Sequence, residues 1–438
     1  MGKIAPQVKK IMGIMKENGY ESYAVGGAVR DLLRGGEPCD WDMTTNARPE
    51  QIMALFEGHA IPTGLQHGTV TVRLDGISVE MTTYRVDGAY EDHRHPDCVE
   101  FTDELTEDLK RRDFTVNAMA MDEEGNVTDV FGGQADLAAK RIRCVGDPKQ
   151  RFEEDALRIL RAIRFSSTLG FPLEQETDAA VHAEAPMLQT VAAERLREEL
   201  LRLLCGRDVL RVLLEYSDVL GVFLPEILPS VGLDQRNRHH CYTVWEHIAH
   251  TVSYVPPEGL LRMTMLIHDL GKPASMTVDE EGIGHFRGHA EISCQLGEEM
   301  LERLKFDNES QERILKLVKW HDVPIEPTEK AMRRALNKMG AENVQALLKV
   351  KRADNLAQAP EFLNRQLEVA DLEMLLYHIL KQDACFSLKQ LAVNGHDLLE
   401  LGYRGKEIGT TLQLLLEAVI DERLPNNKKA LLASLEKA

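Results

Sequence analysis

The 438-residue chain has little that would staple it, anchor it or make it basic. Its seven cysteines are scattered, with no CxxC pair and no tight spacing. That pattern speaks against a disulfide framework or a thiolate zinc site and for reduced cytosolic thiols. No apolar run is long enough to cross a bilayer, so no membrane partner is expected. The opening MGKIAPQVKKIMGIMKENGY reads as an amphipathic helix packed on a domain, not as a signal peptide, and the expected setting is cytoplasmic. No internal repeat or low-complexity tract is visible. Positive charge is also scarce: 52 Lys and Arg against 71 Asp and Glu leave a formal net charge of −19. Phosphate contacts dominate nucleic-acid affinity, so any such partner must be held on a limited local basic track. Hydrophobic residues make up 43% of the chain, enough for real cores, and the length suits two to four domains.

What is present starts with YAVGGAVRDLLRGGEPCDWDMTT, residues 23 to 45. An apolar run ends in Gly26-Gly27, and Asp40 and Asp42 follow on either side of Trp41. Strand residues two apart point to one face, so the two carboxylates are expected to converge while Trp41 packs the other way. Mg²⁺ takes one or two carboxylates and completes its shell with substrate phosphate and water, and a Gly-Gly turn lets backbone N–H groups approach phosphate. Glu80, between Val79 and Met81 in ISVEMTTYR, is a third candidate carboxylate or else a strand acid salt-bridged to Arg85. In RRDFTVNAMAMD, Arg111, Arg112, Asp113 and Asn117 precede an apolar run. Arginine grips phosphate in a fork, and Asp and Asn hydrogen-bond ribose hydroxyls; a helix cap is the plainer role for Asp113.

EEDALRILRAIRF, residues 153 to 165, has helical spacing of Leu157, Leu160 and Ile163. Asp155 and Arg158, three apart, are expected on one helix face, as a simple ion pair or as a reader of base edges. Cytosine and adenine each present an amino donor beside a ring-nitrogen acceptor. A carboxylate and a guanidinium match that pattern, and guanine and uracil carry its reverse.

GGAVRD, DWD, RRDFTVNAMA, DVFGGQADLAAKRIR and EEDALRILRAIRF occur here in the order found in the class II tRNA nucleotidyltransferase and poly(A) polymerase family, which the first half of the chain resembles. AERLREELLRLL resembles that family's neck helix, with Arg195 and Glu199 at the expected places, and residues 394 to 420 resemble the tail of bacterial CCA-adding enzymes. The resemblance implies a polymerase β-like head and two-metal transfer of CMP and AMP from CTP and ATP to the tRNA 3′ end. It implies Mg²⁺ on Asp40 and Asp42 with Glu80 beside them. It also implies nucleotide binding by Gly26, Gly27, Arg30, Arg111, Asp113, Asn117, Asp155, Arg158 and Arg161. The polar segment at 86 to 101 reads as a mobile loop, and in the family a loop there helps the switch from C to A addition. With basic residues clustered only at 140 to 143, around RHHCY and at 330 to 340, tRNA affinity is expected to be modest and salt-sensitive.

A second centre is visible further on. His247, the His268-Asp269 doublet followed by Gly-Lys, and Asp354 resemble the H…HD…D set of HD phosphohydrolase domains, with His289 and His321 matching the extra ligands of two-metal members. Imidazole and carboxylate together suit Mn²⁺, Ni²⁺, Fe²⁺ or Mg²⁺ better than a thiolate metal. The implied substrates are phosphomonoesters or 2′,3′-cyclic phosphates at RNA ends. His250 and His285 read as surface residues.

The expected fold class is α+β. A nucleotidyltransferase head (1–146) with a mixed sheet is followed by a helical neck with base recognition (147–225), an HD domain (226–360) and a helical tail (361–438). The activity expected from the resemblance is template-independent CCA addition. Rival readings are an A-adding enzyme, a poly(A) polymerase, and an RNA-end phosphohydrolase whose head only binds RNA.

Overall fold

The computed structural model describes residues 3–65, 68–87, 99–382 and 384–435. They form two compact units, one to Pro225 and one from Glu226. In the first unit the strands are β1 (Ser22–Val25), β2 (Trp41–Thr45), β3 (Ala60–Gly64), β4 (Thr69–Leu74), β5 (Ile77–Thr83), β6 (Arg85–Asp87), β7 (Val99–Phe101), β8 (Ala120–Met121) and β9 (Val127–Thr128). Seven of them make a mixed sheet in the order β3-β4-β5-β2-β1-β8-β9, with β2 and β5 parallel. The sequence pattern explains its two faces. β-Branched runs such as TVTVRL suit a pleated, half-buried surface. Trp41, Met43, Val70, Val72, Val79 and Met81 all enter one core. Helix α1 (Pro6–Glu17) closes that core with Val8, Ile11, Met12 and Met15, spaced for one helical face. Helices α2 (Gly27–Leu33) and α3 (Pro49–Leu55) add Ala28, Val29, Leu32 and Ile52. The opposite face carries Asp42 and Glu80, which are exposed.

After α4 (Leu105–Lys110) and α5 (Gly133–Ala138) the unit turns helical. The expected continuous helix over 153–165 is broken. α6 (Pro148–Glu154) ends at Asp155, whose backbone is extended (φ −141°, ψ 103°), and α7 (Leu157–Leu169) begins two residues later. The Asp155 Oδ1 atom accepts from the Leu157 N–H at 3.1 Å, so the side chain caps the new helix instead of continuing the old one. Asp155 and Arg158 therefore do not share a helix face. α8 (Gln175–Glu184), α9 (Ala193–Leu204), α10 (Val209–Glu215) and α11 (Ser217–Gly221) complete the unit, with α7 packed on α9.

The second unit comprises α12 (Val244–Tyr254), α13 (Gly259–Ile267), α14 (Lys272–Ser275), a small hairpin of β10 (Thr277–Val278) and β11 (Gly284–His285), α15 (His289–Arg303), α16 (Asn308–Trp320), α17 (Glu329–Met339), α18 (Ala341–Leu356) and α19 (Arg365–Lys381). α20 (Gly395–Glu400), α21 (Lys406–Ile420) and α22 (Lys428–Leu435) share a smaller core around Leu398, Leu416 and Leu431. The mixed-sheet head and the helical remainder are the α+β arrangement expected. Among the described residues no helix is long and apolar enough to cross a membrane. Most of the segment at 86–101 lies outside the described residues; its flanks, β6 and β7, pair antiparallel.

The basic clusters are less open than the sequence suggests. Arg141 and Arg143 both reach the buried Asp136, at 2.5 and 2.8 Å. Arg334 pairs with Asp421 at 2.6 Å, and Arg333 with Glu329.

Candidate functional site

Parallel pairing of β2 with β5 sets Asp42 directly beside Glu80 on the open face of the sheet. Asp40 lies in the bend just before β2 and not in the strand. Trp41 packs into the core, 8% exposed, as alternation requires. Crowding by the surrounding protein pushes the Asp42 carboxyl above its ordinary range; Arg112 pulls it down, and Glu80 and Asp40 push it up. Three carboxylates thus repel one another at a solvent-open mouth, an arrangement a divalent cation relieves. Gly26, at φ +68°, forms the wall: a Cβ there would sit 3.6 Å from Asp42 Oδ2 and 3.5 Å from an Arg112 Nη. Gly27 is not part of a free turn but the first residue of α2.

A residue with no role in the sequence reading organises the arginines. Asp108, fully buried, accepts from Arg111 at 2.8 and 2.9 Å, from Arg112 at 3.3 Å and from the Thr44 hydroxyl at 3.0 Å. Burial would raise its pKa, but Arg111 and Arg112 outweigh that and hold it low. Its spacing of three and four residues before the two arginines, on helix α4, was the available signal.

Asp113 is not a helix cap. Its Oδ1 accepts from the Phe114 N–H at 2.8 Å and from Asn117 at 3.4 Å, while Oδ2 accepts from Arg161 at 2.6 and 2.9 Å. Asn117 in turn accepts from Arg30 at 2.8 Å. Arg161 reaches on to Glu199 at 3.3 Å, and Glu199 holds Arg164 at 2.7 Å. Arg30, Asn117, Asp113, Arg161 and Glu199 are therefore one connected chain of charged and polar groups. Burial alone would raise Asp113, yet Arg161 brings it down to about 2. Because that lies below the unfolded value near 3.9, Asp113 contributes stability above pH ~4, and this is lost as pH falls towards 2. We expect Asp113→Asn to lower stability by about 2 kcal/mol at pH 5 and by almost nothing near pH 2. Urea unfolding at both pH values checks this; a gap independent of pH would show that charge is not the cause.

Asp155 and Arg158 stand close in sequence but hold different partners. Arg195 grips Asp155 bidentately at 2.8 and 3.2 Å. Arg158, 8% exposed, pairs with Glu154 at 2.6 Å and donates to the Arg111 carbonyl at 2.9 Å. Glu154, unassigned from sequence, belongs to this group.

In the second unit, His247 on α12, His268 at the end of α13, Asp269 after it and Asp354 on α18 bring one ligand atom each within 4.8 Å of one another, and Asp269, His289 and His321 do the same. Asp269 is common to both groups. The fold arranges this by close approach at Gly271, where a Cβ would lie 2.2 Å from the His289 carbonyl oxygen. Each imidazole Nδ1 lies against a backbone carbonyl: His247 with Ala357 (3.2 Å), His268 with Met265 (2.6 Å), His289 with Phe286 (2.8 Å) and His321 with Val318 (2.6 Å). That makes Nδ1 a donor in each ring and turns every Nε2 inward, with His247 Nε2 lying 3.0 Å from Asp354 Oδ1. The His289 and His321 Nε2 atoms face each other at 3.2 Å. His268 Nε2 and Asp269 Oδ2 are buried without a hydrogen bond, although Asp269 Oδ2 lies 2.7 Å from the Lys272 ammonium. Ring nitrogens converging on one another and on two carboxylates fit one or two divalent cations of the imidazole-preferring kind. His250 and His285 are not bare surface groups: His250 stacks on Tyr242, and His285 pairs with Asp279 at 2.7 Å.

A family described as the Poly A polymerase head domain matches residues 22–143, and one described as the probable RNA and SrmB-binding site of polymerase A matches 170–230. A third, tRNA nucleotidyltransferase domain 2 (putative), matches 280–435. The CCA-adding enzyme of Geobacillus kaustophilus is 47% identical over 232 residues, 52% of this chain and 57% of that protein, so the chain spans only about half of that relative. The CCA-adding enzyme of Lactobacillus helveticus is 33% identical over 427 residues, 97% of this chain and 95% of that protein. The crystal structure of the Bacillus stearothermophilus CCA-adding enzyme in complex with CTP superposes with a TM-score of 0.77 at 30% identity, covering 99% of this chain and 98% of that one. The chain belongs to the family of CCA-adding enzymes, the tRNA nucleotidyltransferases.

Proposed function

We propose that the chain adds CMP, CMP and AMP to the 3′ end of tRNA without a template, using CTP and ATP. The observation that supports this most is the pairing of Asp42 with Glu80 beside Gly26 and Arg112 on the open face of the sheet. In this reading the tRNA 3′-hydroxyl attacks the α-phosphate, the new P–O bond forms, and the bond to pyrophosphate breaks. Asp40 and Asp42 would hold Mg²⁺, with Glu80 as the third carboxylate. Bound there, Mg²⁺ supplies charge neutralisation of the triphosphate and a lower pKa for the attacking hydroxyl. Gly26 leaves room for phosphate, and Arg111 and Arg112 offer forked donors to it. Asn117 and Asp113 face the ribose. Asp155 accepts two bonds from Arg195 and one from the Leu157 N–H, and with about four acceptor sites it keeps one for the amino group of cytosine or adenine. Arg158 supplies the donor to the ring nitrogen, oriented by Glu154. The functional division remains head to 146, neck to 225, metal-bearing segment to 360 and tail beyond. The cytoplasm is the proposed setting.

Three tRNA transcripts test this: one lacking CCA, one ending in C and one ending in CC, each given CTP, ATP or both with Mg²⁺. Addition of C, C and A followed by a stop supports the proposal. Addition of A to the CC end alone would mean an A-adding enzyme, and long A tails a poly(A) polymerase.

Asp108 is a positioning residue in this reading, acting through Arg111 and Arg112. Asp108→Ala is expected to raise KM for CTP and ATP at least about tenfold, since uniform binding to the triphosphate is lost, with a smaller fall in kcat. Asp108→Asn, which keeps the shape and the hydrogen-bond acceptor, is expected to recover part of KM. Equal loss of kcat with KM unchanged would refute the assignment.

The cluster in the second unit supports a second reading alongside the first, a metal-dependent phosphohydrolase of the HD kind. The converging Nε2 atoms around Asp269 are the observation in its favour. Mn²⁺, Ni²⁺ or Mg²⁺ would there supply Lewis acidity to a phosphoryl group.

A further inference from the structure

Helix α17 carries a stripe of cations. Lys330, Arg334 and Lys338 follow one another at four-residue spacing, and all three are exposed. Four residues rise about 6 Å along a helix, close to the step between neighbouring phosphates of an RNA strand. Arg333 lies beside them, half-buried. Two acids from the tail reach this stripe. Asp421 holds Arg334 at 2.6 Å and Lys330 at 3.4 Å, and Glu422 approaches Arg333 at 3.6 Å. Both acids stand where the local backbone disfavours them. Asp421 is the C-cap of α21, where carbonyl groups already gather negative charge. Glu422 follows at φ +60°, a left-handed conformation that a residue with a side chain adopts at a cost. Ion pairing returns little of that cost, because the Arg334 and Lys330 side chains are 55% and 45% exposed and water screens them. The tail is also fastened to α17 by other means, since Asn337 donates to the Phe386 carbonyl at 2.9 Å.

Room for a larger anion lies next to these pairs. A cavity of about 420 Å³ is lined by Arg333, Glu422 and Asn426 among others, and the Arg333 Nε atom is buried without a hydrogen bond. We infer that the exposed face of α17 is a docking surface for the phosphodiester backbone of RNA, and that Asp421 and Glu422 occupy the phosphate positions until the strand displaces them. This rests on the reading of tRNA as the substrate. Two carboxylates on three cations are the charge pattern that consecutive phosphates would reproduce. Each phosphate that binds at Lys330, Arg333 or Arg334 must first break an ion pair, so its net gain is small. The acids therefore cap the affinity of a surface that is otherwise suited to a polyanion. Lys338 escapes this restraint: its ammonium lies over the Trp320 ring, 5.6 Å from the centroid.

The test is equilibrium binding of a tRNA transcript lacking CCA to the full chain, followed from about 50 to 200 mM salt. Asp421→Asn should tighten binding at least about fivefold at the lower salt and steepen the plot of log K against log salt by about one to two, one for each cation released. Glu417→Gln is the control. It removes the same charge one turn earlier on α21, from a carboxylate that accepts from Gln413 at 3.4 Å, and should change binding less than twofold. Equal tightening by both variants would reduce the effect to net charge and overturn the docking surface. Unchanged or weaker binding in Asp421→Asn, at the parent's unfolding midpoint, would make the acids plain struts between the tail and α17. Lys338→Ala decides the matter even where Asp421→Asn fails to fold: binding weakened about threefold, with a slope shallower by about one, supports the surface. An unchanged slope in that variant removes α17 from the RNA track. A parent chain that binds no tRNA sinks the proposed substrate, whereas a parent that binds it as Asp421→Asn does sinks the docking surface alone.

Discussion

Replacing Asp42 with Ala should reduce nucleotide incorporation by at least about a thousandfold while leaving the protein as stable as before, or slightly more so. The two halves of this expectation come from one feature. Asp42 projects from the open face of β2 beside Glu80, with Asp40 two residues before it, and crowding together with these like charges disfavours its ionised form. A protein that keeps three carboxylates in mutual repulsion at a solvent-open mouth gives up folding stability to do so. Removing one relieves the repulsion, and the strand loses no packing because the core side of β2 is carried by Trp41 and Met43. What the substitution removes, in the proposed reading, is the anchor for charge neutralisation of the triphosphate. That contribution is worth several kcal/mol of transition-state stabilisation, and each ~1.4 kcal/mol is a factor of ten. Single-turnover CMP incorporation and thermal unfolding of the same preparation measure both halves. Incorporation within tenfold of the parent would remove Asp42 from the site, and a midpoint lowered by several degrees would make it a structural residue.

The same residues show what the sequence makes legible and what it does not. Strand alternation alone places Asp42 and Trp41 on opposite faces, because the period of two is a local property of the backbone. The helix break at Asp155 was not legible. Leu157, Leu160 and Ile163 continue the helical pattern past it, and only the competition between capping Leu157 N–H and continuing α6 decides the outcome. As a result the pairings of Asp155 with Arg195 and of Arg158 with Glu154 link residues that a shared helix face would have joined to each other. Asp108 is hard to read because a buried acid and an exposed one look alike in sequence. Its role appears only when Thr44, from β2, closes over it. The His/Asp cluster was legible in its membership. The orientation of its nitrogens was not, because that depends on four backbone carbonyls contributed by four separate segments.

Charge shows the same limit. The net −19 speaks against a nucleic-acid partner, and the apparent basic clusters speak for one. The structure weakens the second argument, since Arg141, Arg143, Arg333 and Arg334 are held by carboxylates. Charges already paired contribute less to a phosphate-binding field. This is in keeping with the expected modest, salt-sensitive tRNA binding. The chemistry tolerates that, because positioning of the last few nucleotides, not overall affinity, governs the transfer step.

Asp269 should show the converse of Asp42. Its Oδ2 faces His247 and His268 at 3.2 Å, and its Oδ1 faces His289 and His321 at 3.4 and 3.7 Å, so a single carboxylate serves both ligand groups. No other residue of the cluster has that position, and its loss should disable both cation positions at once. Asp269→Ala is a severe change, since Asp269 is buried and its removal leaves the buried Lys272 ammonium without its charge partner, which can cost ~3–5 kcal/mol. Asp269→Asn keeps the volume and one oxygen and is the better probe of chemistry. With it we expect bound Mn²⁺ to fall from near-stoichiometric to less than a tenth per chain, and Mn²⁺-dependent phosphomonoester hydrolysis to fall at least a hundredfold. CMP and AMP addition to tRNA ends should stay within twofold, because nucleotidyl transfer is assigned to residues of the first unit. Metal content by elemental analysis and the two activities on one preparation decide it. Loss of nucleotide addition together with hydrolysis, in a variant whose unfolding midpoint matches the parent, would show that the two centres are a single coupled system and not two independent ones.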